Sequence, residues 1–294
     1  MAGRMEKRAE GTKKRVGAVI NVLLVLLVLA GLGLLLYPSF SDWWNRRVQT
    51  RAVAGYVDQV SDLSGEAAEK LWMTAQAYNA GISRKGMHFP LSDEETEEYN
   101  TVLDVTGTGI MGYVQIPKIH VELPIYHSTS DAVLQIAVGH LAGSSLPVGG
   151  ADSHCVLSGH RGLPSSRLFT DLDQMETGDT FTLQVLDHTM TYEVDRISTV
   201  LPDELDELAI EEGQDLCTLM TCTPYGINTH RLLVRGHRIA NPGGDVKVQE
   251  DAAQVNIREG LPAAGVLIVL LMMAFRKKRR KADCRGSDLP RNRA

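Results

Sequence analysis

The sequence has no CxxC pair and no histidines at metal-ligand spacing, so nothing in it calls for zinc or another metal. It has no glycine-rich phosphate loop, and no cofactor is indicated by any other motif. Regular alternation of strand-like and helix-like segments is also missing, which excludes a doubly wound α/β fold. With 44% hydrophobic and 22% charged residues it is neither disordered nor collagen-like, and 294 residues leave room for one sizeable core plus extra segments.

The formal charge of −6 conceals a strong polarity. Residues 1–15 and 276–294 together carry 15 of the 30 Lys+Arg and 4 of the 36 Asp+Glu, a net of 15 − 4 = +11. The interior is therefore 15 − 32 = −17. An acidic middle argues against nucleic-acid binding, and basic ends around it point to two compartments.

Two apolar runs divide these zones. Residues 16–37, VGAVINVLLVLLVLAGLGLLLY, contain only Asn21 as a clearly polar residue and are long enough to span a bilayer. A cleaved signal peptide is the competing reading; the run exceeds a usual signal core, although 30–33 offers a weak small-residue cleavage site. Lys13, Lys14 and Arg15 ahead of the run place residues 1–15 in the cytoplasm and the following chain outside, with Trp43 and Trp44 at the outer interface. The run 261–275, LPAAGVLIVLLMMAF, is short for a span and also fits an interfacial helix, but the basic block 276–281 acts as a cytoplasmic stop signal. The consistent topology is plasma-membrane, with two spans and both termini cytoplasmic, 276–294 forming a basic tail.

Between the runs, residues 45–81 show helical periodicity interrupted at Ser64-Gly65, which predicts two helices in a membrane-proximal spacer (38–109). Residues 81–100 are polar and acidic. From residue 112 the pattern changes to short strand-like runs, GYVQIPKI, VELPIYH, HCVLSGH, TFTLQVL, MTYEVDRIS, LCTLMTC and HRLLVRGHRI, punctuated by Gly, Pro, Asp and Asn. Residues 131–138 read as a helix, with Ser130 as its N-cap and Gly139 as its stop. This is a mainly β domain over 110–240, and evenly spaced strands favour a closed barrel. Residues 241–260, opening with NPGGD, read as a linker.

The stretch 216–236, LCTLMTCTPYGINTHRLLVRG, holds the chemistry. Two strand-like runs flank a polar loop; the first ends at Cys222 and the second opens on Arg231, so the loop can turn both toward one pocket. The run 156–162, VLSGHRG, supplies His160 at a third strand end. An acyl carbonyl needs a thiolate nucleophile, a proton donor for the leaving amine, and positive charge where the oxyanion develops. Cys222, His160 and Arg231 fit these roles, although singly each has a plainer reading as a packing or surface residue. On this topology Cys155, Cys217 and Cys222 lie outside and Cys284 inside. Cys217 and Cys222 fall on opposite faces of one strand, and Cys155 meets Cys217 only if their strands are neighbours; buried free thiols are the favoured reading, leaving Cys222 reactive.

The string 218–231, TLMTCTPYGINTHR, resembles the active-site segment of sortases, in particular the pilus-assembling class C. GYVQIPKI at 112–119, LPIYH at 123–127, GHL at 139–141, SGHRGLP at 158–164 and LFTDL at 168–172 continue the resemblance in order over roughly residues 110–239. It implies a closed eight-stranded sortase-type β-barrel with short helices, its pocket at one end, and catalytic Cys222, His160 and Arg231; His127, His140 and His230 fall elsewhere and read as structural or surface groups. It further implies a cysteine transpeptidase with hydrolase side activity on a Gram-positive surface. Its substrates would be pilin or surface-protein precursors with LPxTG-type sorting signals, cleaved between Thr and Gly, with a pilin lysine amine as acceptor. Anchoring of single proteins to peptidoglycan cross-bridges is the alternative, and an inactive membrane-tethered assembly or binding barrel is a third. Class C enzymes commonly carry a lid with an Asp-Pro-aromatic motif. Here the corresponding stretch is GMHFPL at 86–91, without that Asp, so His88, Phe89 and Pro90 are lid candidates, with Asp93 or Glu94 as partners for Arg231, and an ordinary linker is the competing reading.

Overall fold

The computed structural model describes residues 2–242. The second apolar run, the basic tail, Cys284 and nearly all of the linker 241–260 lie outside the described residues.

The first apolar run and the periodic stretch after it form one helix, α1 (Ala2–Ser61), which continues through Pro38. The helix runs without a break through residue 38. Upstream, Leu27 and Leu34 are 71% and 77% exposed, and Val22–Ser61 contains a stretch long and apolar enough to cross a membrane. Downstream, Gln49, Val53 and Tyr56 are buried against the rest of the chain. α2 (Gly65–Lys85) starts at Ser64, whose side chain accepts from the Ala67 N–H, so the Ser64-Gly65 interruption is an N-cap. The segment 81–100 is more ordered than its polar composition suggests. α3 (Asp93–Thr101) opens with a capping box, Ser92 with Glu95, and buries Tyr99 completely.

The strands are β1 (Ile110–Ile116), β2 (Val121–His127), β3 (Val138–His140), β4 (Ser153–Ser158), β5 (Thr180–Val185), β6 (His188–Val200), β7 (Asp215–Thr223) and β8 (His230–Ile239). They close a barrel in the order β1-β2-β3-β4-β7-β8-β6-β5, with β5 pairing back to β1. The eight-stranded barrel agrees with the expectation, with one local correction. The helix expected over 131–138 is a single turn, α4 (Asp131–Leu134), and Val138 instead begins β3. Three residues of strand win there because β3 hydrogen-bonds to neighbours on both sides, β2 in parallel and β4 antiparallel. Ser130 makes no side-chain capping bond.

Alternation along the strands separates two environments. Cys155, Leu157, Cys217, Leu219 and Val234 join Phe181 and Tyr192 in the barrel interior. Val156 and Leu233, with Leu208 from the β6–β7 connection, form a smaller cluster on the outer face, and Met220 packs against it.

The barrel is bound to α1 by direct contacts. Asn45 Nδ2 donates to the Ser165 carbonyl (2.7 Å), Gln49 Nε2 to the Ile136 carbonyl (2.7 Å), and the Arg167 N–H to Asp42 Oδ1 (2.9 Å). The Tyr56 hydroxyl donates to the Met111 carbonyl and accepts from the Leu186 N–H. Burial pushes that phenol well above its ordinary pKa.

Candidate active site

β4 and β7 run parallel and β7 and β8 antiparallel, so residues of equal parity stand in rows across three strands. Val156, Thr218 and Arg235 make one row, and Ser158, Met220 and Leu233 the next. The following row contains Cys222 directly opposite Arg231, and His160 lies two residues past Ser158 as Cys222 lies two past Met220. Neighbouring strands are about 4.8 Å apart, so Cys222 and Arg231 share one edge of the sheet, while His160 follows the end of the neighbouring strand β4. Cys222 and Arg231 lie on the outer face, the side of Met220. Cys222, His160 and Arg231 are each partly exposed. Among the described residues no hydrogen bond joins the three side chains; Arg231 Nη1 donates to the His230 carbonyl at 3.2 Å.

The backbone around His160 is closely held. The Gly159 N–H donates to the Met220 carbonyl (3.0 Å), and the Thr221 hydroxyl donates to the Gly159 carbonyl (2.7 Å). The Phe169 N–H then reaches the His160 carbonyl (3.2 Å). Gly159 is required there, because a Cβ would come within 2.7 Å of the buried Phe169 ring. Gly159→Ala is expected to displace His160, lowering turnover about tenfold or more and stability by about 1–3 kcal/mol; peptide cleavage and a melting curve would read both.

Next to His160, Arg161 was not anticipated. Its guanidinium pairs with Asp173, donates to Thr223 Oγ1 (3.3 Å) and stands 5.9 Å from the Tyr225 ring centroid, while its Nε is buried without a partner. It ties the segment leaving His160 to the segment leaving Cys222. The adjacency of Arg161 to His160 is the only sequence signal for it.

The β6–β7 connection packs against the outer face through Leu208. His154 bonds the Ala209 carbonyl and the Thr218 hydroxyl (2.9 and 2.7 Å), and Arg235 grips Asp195 with two nitrogens and Glu211 with a third. Together they hold the connection from which Leu208 packs on Val156 and Leu233.

Of the lid candidates, His88 and Phe89, with Met87, line a cavity of about 830 Å³ against Leu205 and Leu208 of the β6–β7 connection, and none of Cys222, His160 and Arg231 lines it. Phe89 packs at Gly143, where a Cβ would touch its ring at 3.0 Å and the His88 carbonyl at 2.4 Å. Met87 instead joins the Met220–Leu233 cluster, one row from Cys222. Arg231 has no ion pair with Asp93 or Glu94; both acids sit in the first turn of α3, where they face its helix dipole.

His88 bonds Glu95 at 3.1 Å, fastening the segment to α3. That bond raises the His88 pKa above its ordinary 6.5, and the Ser92 N–H, then His88, hold Glu95 down to about 2. A raised histidine pKa stabilises the fold fully below 6.5 and loses that contribution as pH rises through the raised value. His88 is therefore expected to titrate above 6.5 by NMR and to fall back in Glu95→Gln.

The remaining histidines and cysteines are placed elsewhere. His127 and His140 are buried, His127 against the Gly109 and Val102 carbonyls and His140 against Tyr99 and the Ser145 carbonyl. His230 is partly exposed beside Thr229. Cys155 and Cys217 face each other on neighbouring strands inside the barrel, both free. Burial pushes the Cys217 thiol well up. Among the described residues no group of three or more His, Cys, Asp or Glu is placed to hold a metal ion.

A closed eight-stranded barrel with a cysteine and an arginine at one sheet edge, and a histidine just past the end of the neighbouring strand, defines a class. A family model described as the sortase domain matches residues 114–239. Sortase D of Bacillus subtilis is 30% identical over 131 residues, covering 44% of this chain and 63% of its own length, just under two thirds. Among solved structures, sortase C1 of Streptococcus agalactiae is 52% identical with a TM-score of 0.64, covering 65% of this chain and 99% of that one. A sortase C of Clostridium perfringens, solved with the C-terminal cell wall sorting motif, is 40% identical with a TM-score of 0.58, covering 65% and 99%. The chain belongs to the sortase family, whose members are cysteine transpeptidases. Within the family it falls in class C.

Proposed function

We propose that this protein is a membrane-anchored transpeptidase that joins pilin subunits. Its substrates are precursors with an LPxTG-type sorting signal. Cys222 paired with Arg231 across β7 and β8, with His160 just past the end of neighbouring β4, in a class C chain, is the observation that carries this reading. The apolar part of α1 is the anchor, the barrel lies outside the cell, and the run 261–275 returns the chain so that both ends are cytoplasmic.

The Cys222 thiolate attacks the threonine carbonyl carbon, and the oxyanion forms within reach of the Arg231 guanidinium. The carbon–nitrogen bond to glycine breaks, with His160 giving its proton to the departing amine. A thioester remains on Cys222. A pilin lysine amine then attacks it, His160 takes the amine proton, and the carbon–sulfur bond breaks to restore the thiolate and leave an isopeptide bond. Arg231 suits the oxyanion role because its planar fork keeps its charge and, among the described residues, is committed to no carboxylate.

The relatives supply a substrate class: one class C structure was solved with a cell wall sorting motif, and another, from Streptococcus pneumoniae, bears on pilin substrate specificity. The test mixes full-length protein with an LPxTG peptide and a pilin, and follows intact mass. An acyl adduct on Cys222 and a pilin–pilin product are expected. An adduct resolved only by water or by a wall-type amine would replace pilus assembly with wall anchoring. No adduct, also after deletion of 86–91, would reduce the protein to an inactive barrel.

A further inference from the structure

α1 carries a row of aromatics just past its apolar stretch: Tyr37, Phe40, Trp43 and Trp44 are 55%, 62%, 39% and 54% exposed. Aromatics at the end of an apolar helix mark the level of lipid headgroups. The chain that leaves Cys222 comes back to this level. A crevice of about 550 Å³ has Pro38 and Ser39 of α1 on one side and Gly162, Leu163 and Tyr225 on the other. Tyr225 belongs to the β7–β8 loop, three residues after Cys222.

This loop displays apolar side chains without covering them. Tyr225 is 60% exposed, and Ile227, at 68%, is the most exposed large apolar side chain among the described residues outside α1. The display is built into the backbone. The Ile227 and Asn228 N–H groups both donate to the Pro224 carbonyl (3.1 and 3.0 Å), and Gly226 and Asn228 take φ of 75° and 61°. The Tyr225 ring rests against Gly162, where a Cβ would approach it to 2.9 Å. The level of the loop is fixed as well, because Asn45, Gln49 and Asp42 bond the barrel directly to α1.

We propose that the β7–β8 loop is a second membrane contact, with Tyr225 and Ile227 seated in the headgroup region of the bilayer that holds α1. The occupant is a lipid surface because the loop stands beside the helix segment that leaves the bilayer, and its exposed pair continues that segment's aromatic row. The inference rests on the anchor reading given above. It makes the membrane one boundary of the active site: Cys222 opens within three residues of lipid, where a precursor still held by its own span presents its sorting signal.

The test is photocrosslinking of the full-length protein in phosphatidylglycerol-containing nanodiscs. p-Benzoylphenylalanine is placed separately at positions 227, 44 and 205. Position 44 reports the anchor, and Leu205, 43% exposed on the β6–β7 connection and outside the crevice beside α1, is the control. Lipid adducts at 44 and 227 with none at 205 are expected. An adduct at 44 without one at 227 overturns the second contact and leaves the anchor standing. Absence at both overturns the anchor reading and this inference with it, whereas cleavage of a soluble sorting peptide would test the transpeptidase reading independently. A crosslink from 227 to another copy of the chain would replace lipid by self-association and overturn the proposal.

Discussion

Alanine at position 222 is expected to leave a folded protein that forms no acyl adduct and no joined pilin product. Cys222 is partly exposed on the outer face of β7, so removing its sulfur opens no cavity, and the stability change should stay within about 1 kcal/mol. Activity should be lost altogether because no other described cysteine can substitute. Cys155 and Cys217 are 1% and 0% exposed inside the barrel, and the Cys217 thiol is held protonated by burial. Intact mass after incubation with a sorting peptide, alongside a melting curve, separates lost chemistry from lost fold. An adduct persisting in Cys222→Ala would remove the nucleophile assignment.

Arg231→Lys is expected to lower kcat/KM by about 10²-fold, the usual scale for removing one oxyanion donor, with almost no change in melting temperature. Arg231 anchors no ion pair among the described residues, so replacing its fork by a point charge breaks no structural link. Arg235 supplies the contrast on the same strand and face. Its guanidinium holds Asp195 and Glu211 and thereby the β6–β7 connection, so Arg235→Lys should lower stability by about 1–3 kcal/mol. Full turnover in Arg231→Lys would exclude the oxyanion role.

The strands were legible because alternation and turn residues are local signals, and seven of the eight coincide with runs visible in the sequence. β3 was not, since three residues carry no period and exist as strand only through two neighbours. α3 was overlooked among acidic residues although Ser92 and Glu95 have capping-box spacing. Cys222, His160 and Arg231 stand out by motif and chemistry, but that β4, the strand before His160, runs beside β7 depends on a long-range parallel pairing that no local pattern encodes. The packing of Met87 against Val156 and Leu233 carries no local signal either, since it joins residues far apart in the chain.

The bonds from α1 to the barrel begin at Asp42, five residues beyond Tyr37, and Gln49 lies twelve beyond it. At 1.5 Å per helical residue these attachments stand about 8 and 18 Å along the helix from the end of its apolar run. A flexible chain of twelve residues would let the barrel wander through a radius of about 20 Å; a continuous helix does not. With α1 in a bilayer, such an enzyme cannot reach out for its substrate. Diffusion within the plane must bring substrate to it, and the length of chain between a precursor's sorting signal and its own span then acts as a ruler that decides which precursors are read.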